Sequence, residues 1–462
     1  MTRRDKAQAV ICGAGIAGIS AAFHLTTLAG LDDVVIVDAR PPLSLTSDKS
    51  TECYRNWWPG PGDGMVRLMN RSIDILERLA DESGNIFNLN RRGYLFATAE
   101  EEKVKDLSLA GTEAESLGAG PLRRHTGAGD EPAYEPASPT GYESELTGAD
   151  LITSPDLIQR HFPYLSPDTL AVLHARRCGW FSAQQFGRYL LDQAQDQGAR
   201  LVQGMVQDVQ VERGRVGSVS VEGRDGSWRI STSNFVVAAG PFADEVAGML
   251  GLTLPLFNEL HPKISFPDRL GAMPREAPLV IWTDPQRLPW SEREAEVLAE
   301  DDETAWLLDE FPPQVHGRPE GPDDSPIVLL LWTYDEQPVQ ANVPPEFDEL
   351  YYPEVVIRGM STAVPAFEGY FQHLPRVFVD GGYYTKTREN RPLICPLPVP
   401  GAFLIGALSG FGLMASAAAG ELLAAHVVGS PLPDYAHWFH LDRYQDPEYQ
   451  ALLQEWDQFG QI

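Results

Sequence analysis

The sequence predicts an α/β fold in which a parallel-sheet domain is assembled from separated stretches of chain, with a mixed-sheet α+β domain inserted between them. Three observations carry this expectation. Strand, glycine turn, helix and strand follow one another within the first forty residues, the order of a βαβ unit with its right-handed crossover. A second strand–glycine turn–helix passage recurs almost 400 residues later. Between them, residues 260–375 alternate short strands with Pro-rich loops, a different grammar from either end. A chain of 462 residues also exceeds what one ordinary core organises, and two or three cores are expected.

Taken in order, Ala9–Cys12 is a short apolar run of buried-strand type, Ile16–Leu25 carries apolar residues at helical spacing, and Val34–Val37 is a second β-branched run. Residues 65–82 form an amphipathic helix. From Glu100 to Tyr142 the chain is rich in Ala, Gly, Pro, Ser and Glu, which predicts a helix followed by a long surface excursion. Order returns at Gly179. Gln184–Gly198 reads as helix, Arg200–Arg213 and Val216–Ile230 as strands of a hairpin or meander, and Asn234–Ala239 as a buried strand. Glu292–Glu303 holds seven acidic residues and one Arg and reads as a solvated helix or loop. Val377–Asp380 and Phe403–Ile405 are again expected as buried strands, and Leu413–Val428 as a helix.

Composition narrows the function. Against 65 Asp and Glu stand 36 Lys and Arg, a net charge of −29 that disfavours nucleic acid and anionic membranes as partners. The four cysteines, Cys12, Cys53, Cys178 and Cys395, are widely spaced, and only Cys178 has a nearby His, His174; one such pair is too few for a metal. Reduced thiols in a cytoplasmic protein are expected. The basic start, Met1 to Lys6, is not read as a signal, because the apolar stretch after it is broken by three glycines. Gly401–Gly420 lacks charge over 20 residues but contains five glycines, and no membrane span is expected there.

The first glycine turn carries chemistry. Gly13-Ala14-Gly15-Ile16-Ala17-Gly18 follows a strand, opens a helix and precedes Asp38 by 20 residues, with Ala39 and Arg40 after it. Gly13 permits the tight turn, Gly15 lets the backbone approach a pyrophosphate, and Gly18 allows helix and strand to pack closely. The helix N-terminus offers free N–H groups to phosphate, and Asp38 can accept from a ribose hydroxyl, so a Rossmann-like dinucleotide site is expected. The acid disfavours a 2′-phosphate without separating NAD from FAD. The second passage, Gly406-Ala407-Leu408-Ser409-Gly410-Phe411-Gly412-Leu413-Met414, separates them. A reduced flavin gathers negative charge at N1 and the C2 carbonyl, which N–H groups at a helix N-terminus stabilise, and glycines 410 and 412 would let the backbone lie close to the ring. FAD is the expected cofactor.

With these segments in view, the chain resembles the FAD-dependent D-amino acid oxidase superfamily, in its sarcosine, glycine and dimethylglycine oxidase branch. The resemblance rests on Val10–Asp38, Thr46–Thr51, Gly198–Val206, Val236–Pro241, Gly381–Pro392 and Phe403–Glu421. It implies a flavin domain (1–90, 176–245 and 376–430), a substrate domain over the flavin face (91–175 and 246–375), and a C-terminal tail (431–462) packing on the flavin domain. It also implies that Ser47, Lys49, Ser50 and Thr51 contact pyrophosphate or flavin, that Val206 meets the adenine through its backbone, and that Ala239 and Gly240 lie beside the dinucleotide. Where sarcosine oxidases attach flavin through a cysteine this chain has Gly382, and no His fills the attachment position of dimethylglycine enzymes; non-covalent FAD is expected.

The resemblance further implies oxidation of a C–N bond in a small amine or amino acid by hydride transfer to flavin N5, with molecular oxygen as acceptor and imine and peroxide as products. Relatives hold the substrate carboxylate with cations, and two such positions are uncharged here: Tyr384 replaces an Arg and Met414 a Lys, while Phe411 replaces the His of the same motif. Arg55 remains as the candidate carboxylate ligand. Lys263 is expected to point toward the flavin, His261 to share its face, and Tyr384 to line the flavin or substrate. Trp57 and Trp58 read equally as pocket wall or core. Tyr384, Lys386 and Arg388 fall on one strand face by spacing. Oxidation of a C–O bond, as in 2-hydroxy acid or polyol dehydrogenases, and a flavin-binding subunit of a hetero-oligomeric oxidase stay open as alternatives.

Overall fold

The computed structural model describes residues 6–58, 60–129, 131–322 and 324–455. Its first layer is a six-stranded sheet ordered Leu393–Pro396, Ala402–Gly406, Phe235–Val237, Ala9–Cys12, Val34–Asp38, Arg200–Gln203. All neighbours are parallel except the first pair, and Ile11 sits between Val236 and Ile36. Ala9–Cys12 is apolar throughout because both faces are covered, as parallel sheets require. One face packs on the helices Ile16–Thr27, Ala183–Asp196 and Gly412–Val428; the other packs on an antiparallel meander formed by Met205–Glu212, Arg215–Gly223 and Gly226–Ser231. The two glycine-led helices lie against each other, with Ser20 Oγ donating to the Ser416 carbonyl at 2.7 Å.

The second layer is a nine-stranded mixed sheet in the order Phe378–Lys386, Phe257–Pro267, Ile327–Leu331, His316–Pro319, Leu279–Trp282, Tyr94–Thr98, Ala171–Ala175, Ala149–Ile152, Leu122–His125. The helix Tyr352–Ala363 covers it through Val355, Val356, Met360 and Ala363. This helix lies in a stretch read from sequence as strands and loops; its apolar residues do keep helical spacing, and Pro353 stands at its N-terminus.

Three strand expectations change. Arg200–Arg213 is two strands, not one: Arg200–Gln203 completes the parallel sheet, Gly204 turns the chain with its N–H on the Asp38 carbonyl, and the meander begins at Met205. Val216–Ile230 is likewise two strands joined by a tight turn at 224–225. Val377–Asp380 was expected to be buried within the flavin domain. It opens instead the edge strand of the nine-stranded sheet, paired to Phe257–Pro267, and Phe378 is 65% exposed because an edge strand is covered on fewer sides. The acidic run forms an exposed helix, Glu292–Ala299, with a Ser291–Glu294 capping box.

After Val428 the chain docks through a buried ion pair, Arg443 to Glu389 at 2.6 Å, beside the strand Leu393–Pro396. Residues 456–462 of the expected tail, and the first five residues of the basic start, lie outside the described residues. Among the described residues one helix, with the turn before it (Ser409–Val428), is long and apolar enough to cross a membrane by length and composition; 67% of its most apolar window is buried inside the protein.

Candidate flavin and substrate site

The site begins with the turn after Cys12. Gly13 has φ +119°, and a Cβ there would collide with the Ala238 carbonyl. A Cβ on Gly18 would strike the Gly13 carbonyl, so this glycine sets the helix–strand distance. The Ile16 N–H donates to Ser47 Oγ at 2.9 Å, which brings the loop Thr46–Thr51 over the helix N-terminus. Asp38 Oδ2 accepts from the Ala14 N–H at 2.8 Å and Oδ1 from the Arg40 N–H at 2.9 Å. Each main-chain bond holds the carboxylate at the rim of the sheet.

A cavity of about 330 Å³ runs along the C-terminal ends of the parallel strands, where open α/β sheets bind ligands. Gly13, Gly15, Ile16 and Ala17 form its floor. Asp38, Ala39, Arg40 and Val206 line it toward one edge of the sheet, and Gly406, Gly410, Gly412 and Leu413 toward the other. Ser47, Ser50, Ala239, Gly240 and Tyr384 complete the wall from neighbouring segments. A long groove with an acid at one end and two helix N-termini along it fits a flavin dinucleotide, and these residues would hold it.

Five expected cofactor contacts fall outside this cavity. Gly18 lies beneath the turn. Thr51, Phe411 and Met414 line a neighbouring cavity, and Lys49 commits its ammonium to Asp380 at 2.9 Å. In the second turn the left-handed residues are Ala407 (φ +53°) and Ser409 (φ +47°), which sequence reading passed over in favour of glycines 410 and 412. Tyr383, Thr46 and Phe242 also line the cavity; the first two fall within segments that carry the resemblance without being picked out there, and Phe242 lies outside them.

The neighbouring cavity, of about 50 Å³, shares Tyr384 and Gly410 with the larger one. Arg55 is on its wall, only 4% exposed, with its guanidinium 4.2 Å from the Trp58 ring and 6.0 Å from Tyr94. Burial holds the Arg55 pKa below its ordinary value. Trp58 packs edge-on against Phe411 at 5.2 Å and, with Trp57, belongs to the core beneath the site. Tyr384 stacks on His261 at 3.9 Å, and burial raises its phenol pKa. Gln314, His316, Thr333 and Glu336, none of them singled out from sequence, close the cavity from the strand His316–Pro319 and from the loops before it and after Ile327–Leu331; burial pushes His316 down to about 4.

Lys263 stands differently from its expectation. Its Nζ donates to the Asp48 and Ser50 carbonyls at 2.8 and 3.0 Å, tethering the Thr46–Thr51 loop, and it lines neither cavity. Tyr384 and Lys386 share one strand face as expected, meeting His261 and Glu259 of the neighbouring strand, and only Arg388, past the strand end and exposed, leaves it. At Gly382 a Cβ would lie 2.9 Å from Lys49 Cβ, leaving little room for a thiol. Cys12 reaches the larger cavity with its pKa pushed up to about 12, chiefly by burial and then by Asp38. Among the described residues no group of three or more His, Cys, Asp or Glu is placed to hold a metal.

A glycine cradle at the switch of a parallel sheet, joined to a second turn and a small enclosed cavity, defines a dinucleotide-binding flavoenzyme. Residues 8–426 match the DAO family, FAD dependent oxidoreductase, and the chain belongs to that family. Over 280 residues it is 26% identical to the mitochondrial dimethylglycine dehydrogenase of Rattus norvegicus and 27% to that of Homo sapiens. That stretch is 60% of this chain but 29% and 28% of those proteins, so the chain spans less than a third of the curated relatives it matches. Solved structures agree in fold over nearly the whole chain. L-proline dehydrogenase from P. horikoshii superposes with a TM-score of 0.72 at 18% identity, covering 96% of this chain and 99% of that one. Glycine oxidase from Geobacillus kaustophilus gives 0.71 at 15% identity, covering 95% and 99%. Iminodiacetate oxidase from Chelativorans sp. BNC1 gives 0.66 at 19% identity, covering 94% and 98%.

Proposed function

We propose that this FAD-dependent oxidoreductase oxidises the C–N bond of a small amine or amino acid bearing a carboxylate, as an oxidase releasing imine and peroxide, with its FAD held non-covalently. The observation that carries the reading is Arg55, a buried cation on the wall of a small cavity that shares Tyr384 and Gly410 with the dinucleotide groove. FAD in that groove would supply the two-electron acceptor. Arg55 would bind the substrate carboxylate by charge-assisted hydrogen bonds, and its neighbours Trp58 and Tyr94 hold the guanidinium in place. Tyr384 and Phe411 form apolar walls that exclude water and limit the substrate's orientation. The cavity's volume of about 50 Å³ suits a small substrate rather than a bulky one.

The names of the similar proteins support the same class, since they specify dimethylglycine, glycine, L-proline and iminodiacetate. Non-covalent FAD is supported by Gly382 and by the raised thiol pKa of Cys12. The four buried free cysteines suit a reducing compartment, which favours the cytoplasm. The deciding experiment mixes the yellow holoprotein anaerobically with N-methylglycine, N,N-dimethylglycine, glycine, proline and lactate. Bleaching by an amine, and peroxide on admitting oxygen, is the expected result; bleaching by lactate alone would replace this reading with C–O oxidation, and acid precipitation that keeps yellow colour in the pellet would overturn non-covalent binding.

A further inference from the structure

One chain of polar groups, half-buried at Thr333 and buried beyond it, leaves the substrate cavity and ends inside the nine-stranded sheet. His261 is fully buried, lines the cavity, and uses both ring nitrogens: Nε2 lies 2.9 Å from Glu259 Oε2 and Nδ1 lies 2.7 Å from Thr333 Oγ1. Lys386 Nζ donates to both oxygens of Glu259, at 3.0 and 2.9 Å. These partners fix the protons. His261 and Lys386 hold Glu259 below its ordinary pKa against the cost of its burial, so Glu259 is a carboxylate that can only accept, and Nε2 must carry the hydrogen. Burial keeps His261 neutral, Nδ1 is therefore an acceptor, and the Thr333 hydroxyl donates to it. The lone pairs of Thr333 Oγ1 are left for a donor within the cavity, which Thr333 also lines.

We propose that Thr333, His261 and Glu259 form the proton-accepting relay for the amine that this site oxidises, a role that rests on the C–N reading above. An amine arrives at neutral pH as an ammonium and has no lone pair to release until it loses a proton. In the relay the substrate N–H bond breaks as Thr333 Oγ1 gains that proton. The Thr333 hydroxyl proton moves to His261 Nδ1, and the resulting imidazolium is held by the Glu259 carboxylate. No electrons change hands in this step; the amine leaves it neutral and the His261 ring positive.

The surrounding charges set the balance. Glu259, from the same strand, favours the imidazolium. Lys386 opposes it, while Tyr384 from that neighbouring strand covers the ring face. His316 and Arg55 stand across the cavity and Glu336 at its wall, and a nearby buried Arg55 also disfavours a charged substrate nitrogen. Thr333 touches substrate in this scheme, whereas Glu259 and Lys386 act through His261 as positioning residues.

The test measures the rate of anaerobic flavin bleaching by N-methylglycine from pH 6 to 10 in the wild type, T333V, T333S and H261Q. In the wild type the rate should rise with pH to a plateau. In T333V and H261Q the rising limb should move at least one pH unit higher, with a loss of at least tenfold at pH 7 that shrinks below threefold at pH 10, where free amine needs no acceptor. T333S, which keeps the hydroxyl, should return the limb to its wild-type position. A merely structural role lowers the rate by one factor at every pH, and that result, or an unmoved limb in T333V, overturns the relay. If no amine bleaches the wild type at any pH, the C–N reading fails first and the relay falls with it. A second measurement needs no turnover: in holoprotein labelled with ¹⁵N-histidine, the signal missing from H261Q should be a neutral ring protonated at Nε2 at pH 7. An imidazolium there has no acceptor nitrogen and would overturn the proposal.

Discussion

Both oxygens of Asp38 already accept main-chain hydrogen bonds, from Ala14 and Arg40, and each keeps a lone pair for a ribose hydroxyl. A hydrogen bond to a charged group contributes about 1.5–3 kcal/mol. Asp38→Ala should therefore weaken FAD binding by about 10- to 100-fold, read from flavin fluorescence quenching as apoprotein is titrated. By the same magnitude Arg55→Met should lower kcat/KM for a carboxylate-bearing amine about 10- to 100-fold; an equal loss for an amine without a carboxylate would remove the assigned role. Asp38 was legible because the turn, the helix and the acid are covalent neighbours at fixed spacing. Lys263 was half legible. Alternation on its strand told which face it shares with His261, but at that depth a lysine takes the nearest carbonyls, and those belong to Asp48 and Ser50.

The loop Thr46–Thr51 is the element on which the two sheets meet. Lys263 holds two of its carbonyls, and Arg318, fully buried on the strand His316–Pro319, donates to the Thr51 carbonyl at 2.7 Å while pairing with Glu320 at 2.6 Å. Removing one partner of a buried pair costs about 3–5 kcal/mol. Arg318→Met should lower the unfolding free energy of the holoprotein by about that amount and loosen FAD, measured by denaturant titration and by flavin release. If stability falls while flavin affinity does not change, the loop is not held through Arg318. Among elements, the helices Ile16–Thr27, Gly64–Ser83 and Gly412–Val428 were readable from periodicity or a glycine turn. The break at Gly204 was not, because only pairing with Asp38 on one side and the meander on the other reveals where one strand ends. The edge position of Phe378–Lys386 was equally hidden, since an apolar run looks the same whether one neighbour or two will cover it.

Across the whole molecule, burial leaves an acid sensitivity. His24, His174 and His316 have pKa values lowered to about 4, about 3 and about 4. Below pH 6.5 the unfolded chain takes up protons at these rings that the folded chain refuses, so stability falls with pH. Glu52 runs the other way: raised to about 7 by burial, it contributes stability that is full below its ordinary value and lost as pH rises toward 7. Three histidines less one carboxyl leave about two protons, or about 2.7 kcal/mol per pH unit. Because the unfolded histidines are only half protonated at pH 6.5, unfolding free energy should be about 3 kcal/mol lower at pH 5 than at pH 6.5, and a flat profile by denaturant titration would show that these histidines are not buried. The sequence alone determined the dinucleotide cradle, because its glycines, helix start and acid lie within one βαβ unit and act through local geometry. Only the tertiary structure decided the substrate cavity. Arg55, His261, His316 and Tyr384 reach it from separate strands and Gln314 and Thr333 from loops adjoining the strands His316–Pro319 and Ile327–Leu331, and hydrogen-bond register, which sets Glu259 opposite Tyr384 and His261 opposite Gly382, is a property of paired backbones that no single stretch of sequence carries.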